Sequence, residues 1–165
     1  MAIAMYPGSF DPITYGHLDI LERAAQIFDK VLVTVAVNTQ KSSVFTESER
    51  LELIRECLKD KGWKDKVEVE SFTGLLVDHA KRRNIHTLVR GVRQLSDFEY
   101  EFRMALMNRR IGGEIETIFL MPREELTFVS ASLVKEVAYW GGDLSSFVPP
   151  RVAQALKDKF SDRLK

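Results

Sequence analysis

The sequence predicts an α/β fold, a doubly wound parallel five-stranded sheet with helices on both faces, in a single domain over residues 1–165. Two observations predict it. Strand-like apolar runs alternate with amphipathic helical patterns along the whole chain, and this alternation is typical of parallel sheets whose strands are joined by helices. Several of the apolar runs are nearly continuous, as expected for strands that are covered on both faces.

The five strands are predicted at residues 2–6, 31–37, 67–72, 87–90 and 115–121. In a doubly wound sheet, ligands bind beyond the carboxyl ends of the strands, at the point where the strand order reverses. The loops that follow these strands are therefore where functional residues are expected.

The helices between the strands are predicted from apolar stripes and capping signals. The first begins near Gly16-His17, and the second opens with a capping box formed by Thr46 and Glu49. The third covers residues 75–83.

A second capping box, Ser96 with Glu99, is predicted to open the fourth helix, on which the spacing places Phe98 and Phe102 in the core. Caps and helix breakers mark the boundaries of the last two helices: Ser130 or Ser132, Gly141-Gly142, and Pro149-Pro150.

Composition narrows the class of protein. Lysine plus arginine and aspartate plus glutamate are equal at 24 each, which argues against a general nucleic-acid or membrane-surface binder. Cys57 is the only cysteine, so disulfide frameworks and cysteine-rich zinc sites are excluded within one chain, and no metal site is predicted. The sequence shows no secretory signal and no apolar run as long as a membrane span, so a cytoplasmic protein is expected.

The turn after the first strand has the features of a nucleotide-phosphate site. Gly8 lets backbone amides come close to a ligand, and the helix that follows offers free N–H groups and the positive end of its dipole. His17 stands where its side chain can donate to the same phosphate. An isolated histidine is more often a packed or solvated residue, but Gly8 and Gly16 favour the functional interpretation.

Charged residues follow other strands, and each has a second interpretation. Arg90 and Arg93 suit phosphate recognition, because arginine presents a rigid fork of donors; the alternative is a surface turn with two salt-bridged arginines. Lys41 is either a point charge that reaches a phosphate or a solvated loop lysine. Glu101 either complements the helix dipole or faces a ribose hydroxyl.

The hydroxyl-rich segment around Ser130 and Ser132 either caps a helix or also cradles a phosphate, and both can hold at once. Three familiar motifs are absent from the sequence: the phosphate loop G-x-x-x-x-G-K-[ST], the dinucleotide fingerprint G-x-G-x-x-G and the nucleophile elbow G-x-S-x-G.

With these motifs side by side, the chain resembles the bacterial phosphopantetheine adenylyltransferases, which belong to the Rossmann-like nucleotidyltransferases with a T/H-x-G-H motif. The matching motifs span most of the chain: Tyr6-Pro7-Gly8-Ser9-Phe10-Asp11-Pro12-Ile13-Thr14 with Gly16-His17, Arg90-Gly91-Val92-Arg93, Asp97-Phe98-Glu99-Tyr100-Glu101, Phe119-Leu120-Met121-Pro122 and Ser130-Ala131-Ser132-Leu133-Val134-Lys135-Glu136-Val137. The second and third of these in succession are specific to this enzyme type. Two residues depart from the pattern: Ser9 replaces a frequent threonine and keeps the hydroxyl, whereas Ala131 replaces a frequent serine and removes one.

The resemblance implies reversible transfer of the adenylyl group from ATP to 4′-phosphopantetheine, which gives 3′-dephospho-coenzyme A and pyrophosphate in coenzyme A biosynthesis. It also implies direct in-line attack without a covalent intermediate, Mg²⁺ bound mainly through the ATP phosphates, a cytoplasmic homohexamer, and coenzyme A as a candidate inhibitor. The attacking phosphate is already an anion, so the reaction requires positioning and charge stabilisation rather than a general base.

By the same resemblance, catalytic roles fall to His17, Lys41 and Arg90. His17 is expected to donate to the α-phosphate, and the two cations to hold the attacking phosphate. The residues expected to bind ATP are Ser9, Phe10, His17, Gly91, Val92, Arg93, Glu101, Leu126, Thr127, Phe128, Val129, Ser130, Ala131 and Ser132. Those expected to bind the acceptor are Ser9, Lys41, Leu76 and Arg90.

Three other functions compete with this interpretation. A sibling nucleotidyltransferase would use another acceptor, such as nicotinamide mononucleotide or glycerol 3-phosphate, and the acceptor pocket decides between them. A nucleotide-binding module without catalysis would not need His17 and Lys41. A structural subunit would not need a set of loops that face a phosphate.

Overall fold

Five parallel strands form the centre of the computed structural model, which describes residues 1–38 and 42–161. The strands are β1 (Ile3–Gly8), β2 (Lys30–Ala36), β3 (Val67–Phe72), β4 (Thr87–Gly91) and β5 (Glu116–Leu120). Their spatial order is β3-β2-β1-β4-β5, so the strand order reverses between β1 and β4. The predicted fold class is confirmed, and each predicted strand overlaps an observed one.

Helices join and flank these strands. Within the described residues they are α1 (Tyr15–Ile27), α2 (Glu47–Leu58), α3 (Leu76–Arg82), α4 (Leu95–Gly112), α5 (Ala131–Tyr139) and α6 (Pro150–Phe160), with short 3-10 turns at Lys64–Lys66 and Glu124–Leu126. None of the helices in residues 1–38 and 42–161 has the length and apolarity needed to cross a membrane.

The helix starts test the capping predictions. The Thr46 and Glu49 box is present, with the Thr46 amide donating to Glu49 Oε2 at 2.8 Å. The predicted box at Ser96 is wrong, because α4 starts one residue before it, and a cap must precede the helix rather than lie inside its first turn. At α1, Thr14 forms a box with His17 that the sequence analysis did not predict, because histidine is not a usual partner in this motif.

The sheet is covered on both faces, as predicted, but unequally. Along β1, Ala4 and Tyr6 face one large core that α1, α2, α5 and α6 complete. Met5 faces a smaller core on the opposite side, where Val77 and Ala80 of α3 pack. Because successive strand residues point to opposite faces, one strand supplies both cores.

Helix α4 lies on the thinly covered face and is mostly exposed. The prediction that Phe98 and Phe102 belong to the core is wrong, since 41% and 46% of their surfaces are exposed. The two rings stack on each other, and Phe98 meets Phe119 of β5 edge to face. Gly112 is the one buried residue of this helix. Apolar spacing therefore marked a face of α4 correctly, but that face is not covered within the described part of the chain.

Candidate active site

A polar pocket of about 280 Å³ opens at the carboxyl edge of the sheet, between β1 and β4. It brings together four segments that are far apart in sequence. Its lining residues are Tyr6, Pro7, Gly8, Ser9, Phe10, Thr14, Gly16, His17, Ile20, Arg90, Gly91, Arg93, Glu101, Pro122, Val129, Ser130, Ala131 and Ser132. The pocket lies where the strand order reverses, as expected for a doubly wound sheet.

The turn between β1 and α1 forms the floor of the polar pocket. A Cβ atom on Gly8 would lie 3.0 Å from the Phe10 ring, so the close approach of this ring requires glycine there. Phe10 itself has a φ of 46°, in the left-handed region that non-glycine residues rarely adopt. Buried Arg50 supports the turn from below: its Nη1 donates to the carbonyl of Ser9 at 2.9 Å and to that of Ala36 at 3.1 Å.

The imidazole of His17 has a defined tautomer. The Thr14 backbone N–H donates to His17 Nδ1 at 3.0 Å. Because Nδ1 accepts this bond, the proton of the neutral ring is on Nε2. Burial, followed by the positive charges of Arg93 and Arg90, lowers the pKa of His17 to about 4. At neutral pH, His17 is therefore an uncharged N–H donor in the pocket wall.

Arg90 is held from two sides at the end of β4. Its Nε and Nη2 donate to Glu101 Oε2 and Oε1 at 2.7 and 2.5 Å, and its Nη1 donates to the carbonyl of Pro7 at 2.6 Å. Burial works to lower the pKa of Arg90, but the hydrogen bonds and charge of Glu101 raise it above its ordinary value. Glu101 thus fixes the guanidinium in place, which is a role that neither interpretation from the sequence included.

Arg93 connects the β4–α4 loop to the entrance of α5. Its Nη1 donates to the carbonyl of Val129 at 2.7 Å, and its Nε pairs with Asp97 at 3.1 Å. Between the two arginines, Gly91 lies against α1, where an added Cβ would be 3.1 Å from Ile20. Both arginines are salt-bridged, as the alternative interpretation predicts, and both also line the pocket.

The N-terminus of α5 forms another wall of the polar pocket. Ser130 is the N-cap, and its hydroxyl accepts from the Leu133 amide at 3.1 Å. Ala131 and Ser132 follow in the first turn and also line the pocket. This helix end presents free backbone N–H groups and the positive end of a dipole to the cavity, which favours an anion.

Several predicted site residues lie beside the polar pocket rather than in its wall. The Val92 amide donates to the carbonyl of Leu120. Leu126 belongs to the 3-10 turn, the Thr127 hydroxyl donates to the carbonyl of Glu124, and the exposed Phe128 ring meets Phe147 edge to face. Lys41 lies outside the described residues.

A side pocket of about 370 Å³ adjoins the polar pocket and shares Pro7, Gly8, Ser9, Arg90 and Glu101 with it. Predicted Leu76 lines this second cavity. Its remaining lining residues are Ala36, Asn38, Phe72, Tyr100, Met104, Ala105, Asn108 and Thr117. Among the described residues, Thr117 Oγ1 is the one buried side-chain oxygen or nitrogen with no hydrogen-bond partner.

Sequence reasoning missed most of the side pocket. Tyr100, Met104 and Asn108 lie one helical turn apart on α4, so they share a face. That spacing was available in the sequence, but nothing local showed that this face lies over the end of the sheet.

Comparisons with known proteins identify the family to which the chain belongs. The sequence model of the cytidylyltransferase-like family matches residues 5–137. A phosphopantetheine adenylyltransferase of Caldanaerobacter subterraneus subsp. tengcongensis is 51% identical over 160 residues, covering 97% of this chain and 98% of the relative. One of Heliobacterium modesticaldum is 49% identical over 165 residues, covering 100% and 96%. The chain belongs to the phosphopantetheine adenylyltransferases of the cytidylyltransferase-like family.

Solved structures of two other adenylyltransferases share the fold of this chain. Plasmodium falciparum nicotinic acid mononucleotide adenylyltransferase complexed with NaAD has a TM-score of 0.71 at 16% identity, covering 96% of this chain and 95% of that one. A bifunctional NMN adenylyltransferase/ADP ribose pyrophosphatase of Francisella tularensis has a TM-score of 0.69 at 18% identity, covering 98% and 51%. The resemblance stated from the motifs is confirmed, and the chain is an enzyme of the nucleotidyltransferase class rather than a binding module or a structural subunit.

Proposed function

We propose that this enzyme transfers the adenylyl group of ATP to 4′-phosphopantetheine, giving 3′-dephospho-coenzyme A and pyrophosphate. One observation supports this most strongly: two differently lined cavities meet at Ser9 and Arg90. An enzyme that joins two phosphates needs two substrate cavities whose phosphate ends converge.

The polar pocket is the ATP site in this proposal. The β1–α1 turn and the N-terminus of α5 both line it, and Arg93 adds a positive charge. These are the groups that bind phosphates in proteins. Gly91 and the loop before α5 then contact the remainder of the nucleotide.

The side pocket is the acceptor site. 4′-Phosphopantetheine has a phosphate at one end and a flexible arm that carries two amides. Phe72, Leu76 and Met104 offer apolar contact to such an arm, and Asn108 offers hydrogen-bonding groups to its amides. The Thr117 hydroxyl oxygen is buried in the free enzyme, so it reaches an amide of the arm only if substrate binding exposes it. Ser9, Arg90 and Lys41 would bind the phosphate end; of these, Ser9 and Arg90 lie where the two pockets meet.

The chemistry is a direct in-line displacement at the α-phosphate of ATP. The acceptor phosphate is an anion and needs no general base, so the protein contributes orientation and charge stabilisation. His17 Nε2–H donates to an equatorial oxygen of the α-phosphate as charge develops there. Since the low pKa keeps this imidazole neutral, it stays a donor of fixed geometry and does not lose its proton to the substrate.

Mg²⁺ fits this site as a partner of ATP. Residues 1–38 and 42–161 contain no group of three or more His, Cys, Asp or Glu side chains that could hold a metal ion. Mg²⁺ commonly keeps several waters and binds through substrate phosphates, where it neutralises their charge. The protein's part is to hold the triphosphate with Arg93 and the α5 N-terminus.

We also propose that the enzyme is a homohexamer that works in the cytoplasm. Helix α4 exposes a row of apolar side chains at helical spacing: Leu95, Phe98, Phe102 and Leu106. An exposed apolar row of this length is typical of a surface that pairs with another protein. Sedimentation velocity should show a species six times the 18.9 kDa chain, and Leu106→Glu should reduce its size; a monomer at micromolar concentration would contradict the assembly without touching the chemistry.

Coenzyme A and the product share the pantetheine arm. Dephospho-coenzyme A would occupy both pockets at once, and coenzyme A would compete for the same space. Inhibition by coenzyme A that is competitive with 4′-phosphopantetheine would support this, and inhibition insensitive to the acceptor concentration would contradict it.

An acceptor panel tests the proposed reaction. Pyrophosphate release is measured with ATP, Mg²⁺ and one of three acceptors: 4′-phosphopantetheine, nicotinamide mononucleotide or glycerol 3-phosphate. We expect turnover with 4′-phosphopantetheine alone. Faster release with either of the other acceptors would assign the enzyme to a sibling activity.

A further inference from the structure

The carboxylate of Asp11 is buried and lines neither pocket. Asp11 follows Phe10 in the β1–α1 turn and is 5% exposed. Its Oδ1 accepts from the Phe45 amide at 2.9 Å, and its Oδ2 accepts from the Val44 amide at 2.9 Å. The Nζ of Lys135 lies 3.2 Å from the same Oδ2.

These three contacts join segments that are remote in sequence. Val44 and Phe45 precede α2, whereas Lys135 belongs to α5. Lys135 is three residues beyond Ser132, so it is on the helix whose N-terminus forms one wall of the polar pocket. Asp11 is itself part of the turn that forms the pocket floor. One carboxylate therefore links the turn that forms the pocket floor to the helix whose N-terminus forms one of its walls.

The turn needs such support. Phe10 adopts a φ of 46°, in the left-handed region that is unfavourable for a non-glycine residue. Such a conformation persists only where neighbouring contacts hold it. Asp11 is the next residue in the chain, and its carboxylate is fully engaged by two amides and an ammonium group.

We propose that Asp11 is a positioning residue for adenylyl transfer: its carboxylate, through Lys135, sets the separation between the phosphate-binding turn and the N-terminus of α5. This inference rests on the proposed function. Asp11 does not touch the reacting atoms, so it acts through the groups that do. A shift of about 1 Å in such groups lowers the rate by about a hundredfold.

The test uses Asp11→Asn, Lys135→Met, Lys135→Arg and the double variant Asp11→Asn with Lys135→Met. The Asn side chain has one oxygen, so it can accept a hydrogen bond from only one of the Val44 and Phe45 amides. It also has no negative charge to pair with Lys135. We expect Asp11→Asn to lower kcat about tenfold to a hundredfold, with KM for ATP changed less than about threefold, because no ATP contact is removed. Lys135→Met should lower kcat in the same direction, and Lys135→Arg should retain it.

We call the contacts of Asp11 with Val44, Phe45 and Lys135 the clasp. The double variant tests whether Asp11 and Lys135 act as one unit or contribute two independent effects. If Asp11 and Lys135 act as one unit, Lys135→Met lowers kcat much less in the Asp11→Asn background than in the wild type. Additive losses would overturn the proposal. So would a folded Asp11→Asn enzyme with a wild-type kcat.

Glu49→Gln is the matched control. Glu49 also accepts from a backbone amide, that of Thr46, and pairs with a lysine, Lys159 at 2.7 Å, but it lines neither pocket. Its substitution should lower thermal stability and leave kcat unchanged. An equal loss of kcat in this variant would assign the effect of Asp11 to general destabilisation and overturn the proposal.

Two measurements distinguish a failure of the Asp11 proposal from a failure of the proposed function. Wild-type turnover with 4′-phosphopantetheine tests that function by itself. Hydrogen exchange of the Val44 and Phe45 amides tests the clasp without any substrate, and we expect it to accelerate in Asp11→Asn but not in Glu49→Gln. If Asp11→Asn does not fold, the Lys135→Met and Lys135→Arg pair decides: equal kcat values for the two would overturn the role of the charge.

Discussion

The polar pocket and the side pocket meet at Arg90 but are built on different principles. In the polar pocket, three functional side chains are held by protein partners: His17 by the Thr14 amide, Arg90 by Glu101, and Arg93 by Asp97 and the Val129 carbonyl. In the side pocket, apolar side chains of α4 form a wall and Thr117 keeps a buried hydroxyl without a partner.

This difference indicates how each pocket contributes to the reaction. Groups that are held in place before substrate binds stabilise a transition state without reorganising, so they affect kcat. A cavity that provides shape and a hydrogen-bonding group left without a partner affects the affinity for one substrate. Substitutions in the two pockets should therefore change different kinetic constants.

The largest effect is expected for His17→Ala. Losing one preorganised donor of this type lowers turnover by about a hundred- to a thousandfold, and we expect both KM values to change little. Steady-state kinetics by pyrophosphate release measures it. His86→Ala is the control, because His86 lies outside both pockets and is half exposed. A normal kcat for His17→Ala would remove this residue from the catalytic role.

Arg90→Lys should have the next largest effect and should affect both substrates, because Arg90 lines both cavities. Lysine keeps the charge but cannot make the two-pronged contact with Glu101 and the bond to the Pro7 carbonyl together. We expect kcat/KM for ATP and for the acceptor each to fall about tenfold to a hundredfold. The control is Arg109→Lys, at an exposed ion pair with Glu116, where no change is expected. A loss confined to one substrate would contradict a shared role.

Thr117→Val tests the side pocket alone. Removing a buried hydroxyl that has no partner should raise the stability of the free enzyme by about 1 kcal/mol, since an unsatisfied polar group is costly. If the hydroxyl binds the acceptor arm, KM for the acceptor rises about three- to tenfold while kcat and KM for ATP stay constant. Thermal melting and the same kinetic assay measure the two effects. A lower melting temperature with unchanged kinetics would show that the hydroxyl serves the fold rather than the acceptor.

A further expected effect is on stability rather than on turnover: a pH dependence of the unfolding free energy that comes from His17. The folded-state pKa of about 4 lies below the ordinary value of 6.5, so between these values the unfolded chain binds the proton and the folded one does not. Stability from this group is therefore full above pH 6.5 and is lost as pH falls toward 4. The unfolding free energies of the wild type and of His17→Gln are measured with urea at pH 7, 6 and 5. As the pH falls, the wild type should lose stability relative to the variant. A constant difference would contradict the low pKa.

The two pockets also differ in how well the sequence predicts them. Most of the polar pocket could be found from local motifs, because a glycine turn, a helix start and an Arg-Gly-x-Arg loop each carry their chemistry within a few residues. Among the residues that line the side pocket and not the polar pocket, Leu76 is the one that was predicted. Other residues of the side pocket, such as Met104 and Asn108, have no distinguishing feature in the sequence, because their role depends on where α4 lies relative to the sheet.

Two predictions failed for related physical reasons. The apolar spacing of Phe98 and Phe102 was taken to indicate core, but it marks an exposed row. The pattern of a helix face is the same whether the sheet or a second protein covers it. The Ser96 box failed because helix ends vary by a residue or two and only the backbone shows which residue is the cap.

By itself, the sequence determined the order of strands and helices, the edge of the sheet where the polar pocket opens, and many of the residues that line it. These follow from periodicity, turn chemistry and the carboxyl-edge rule, all of which act over short stretches of chain or through connectivity. Only the tertiary structure decided the neutral state of His17, the pairing of Arg90 with Glu101 and the clasp formed by Asp11. Each depends on which charges and amides lie within a few ångströms, and separation along the chain, 124 residues in the case of Asp11 and Lys135, does not determine proximity in space.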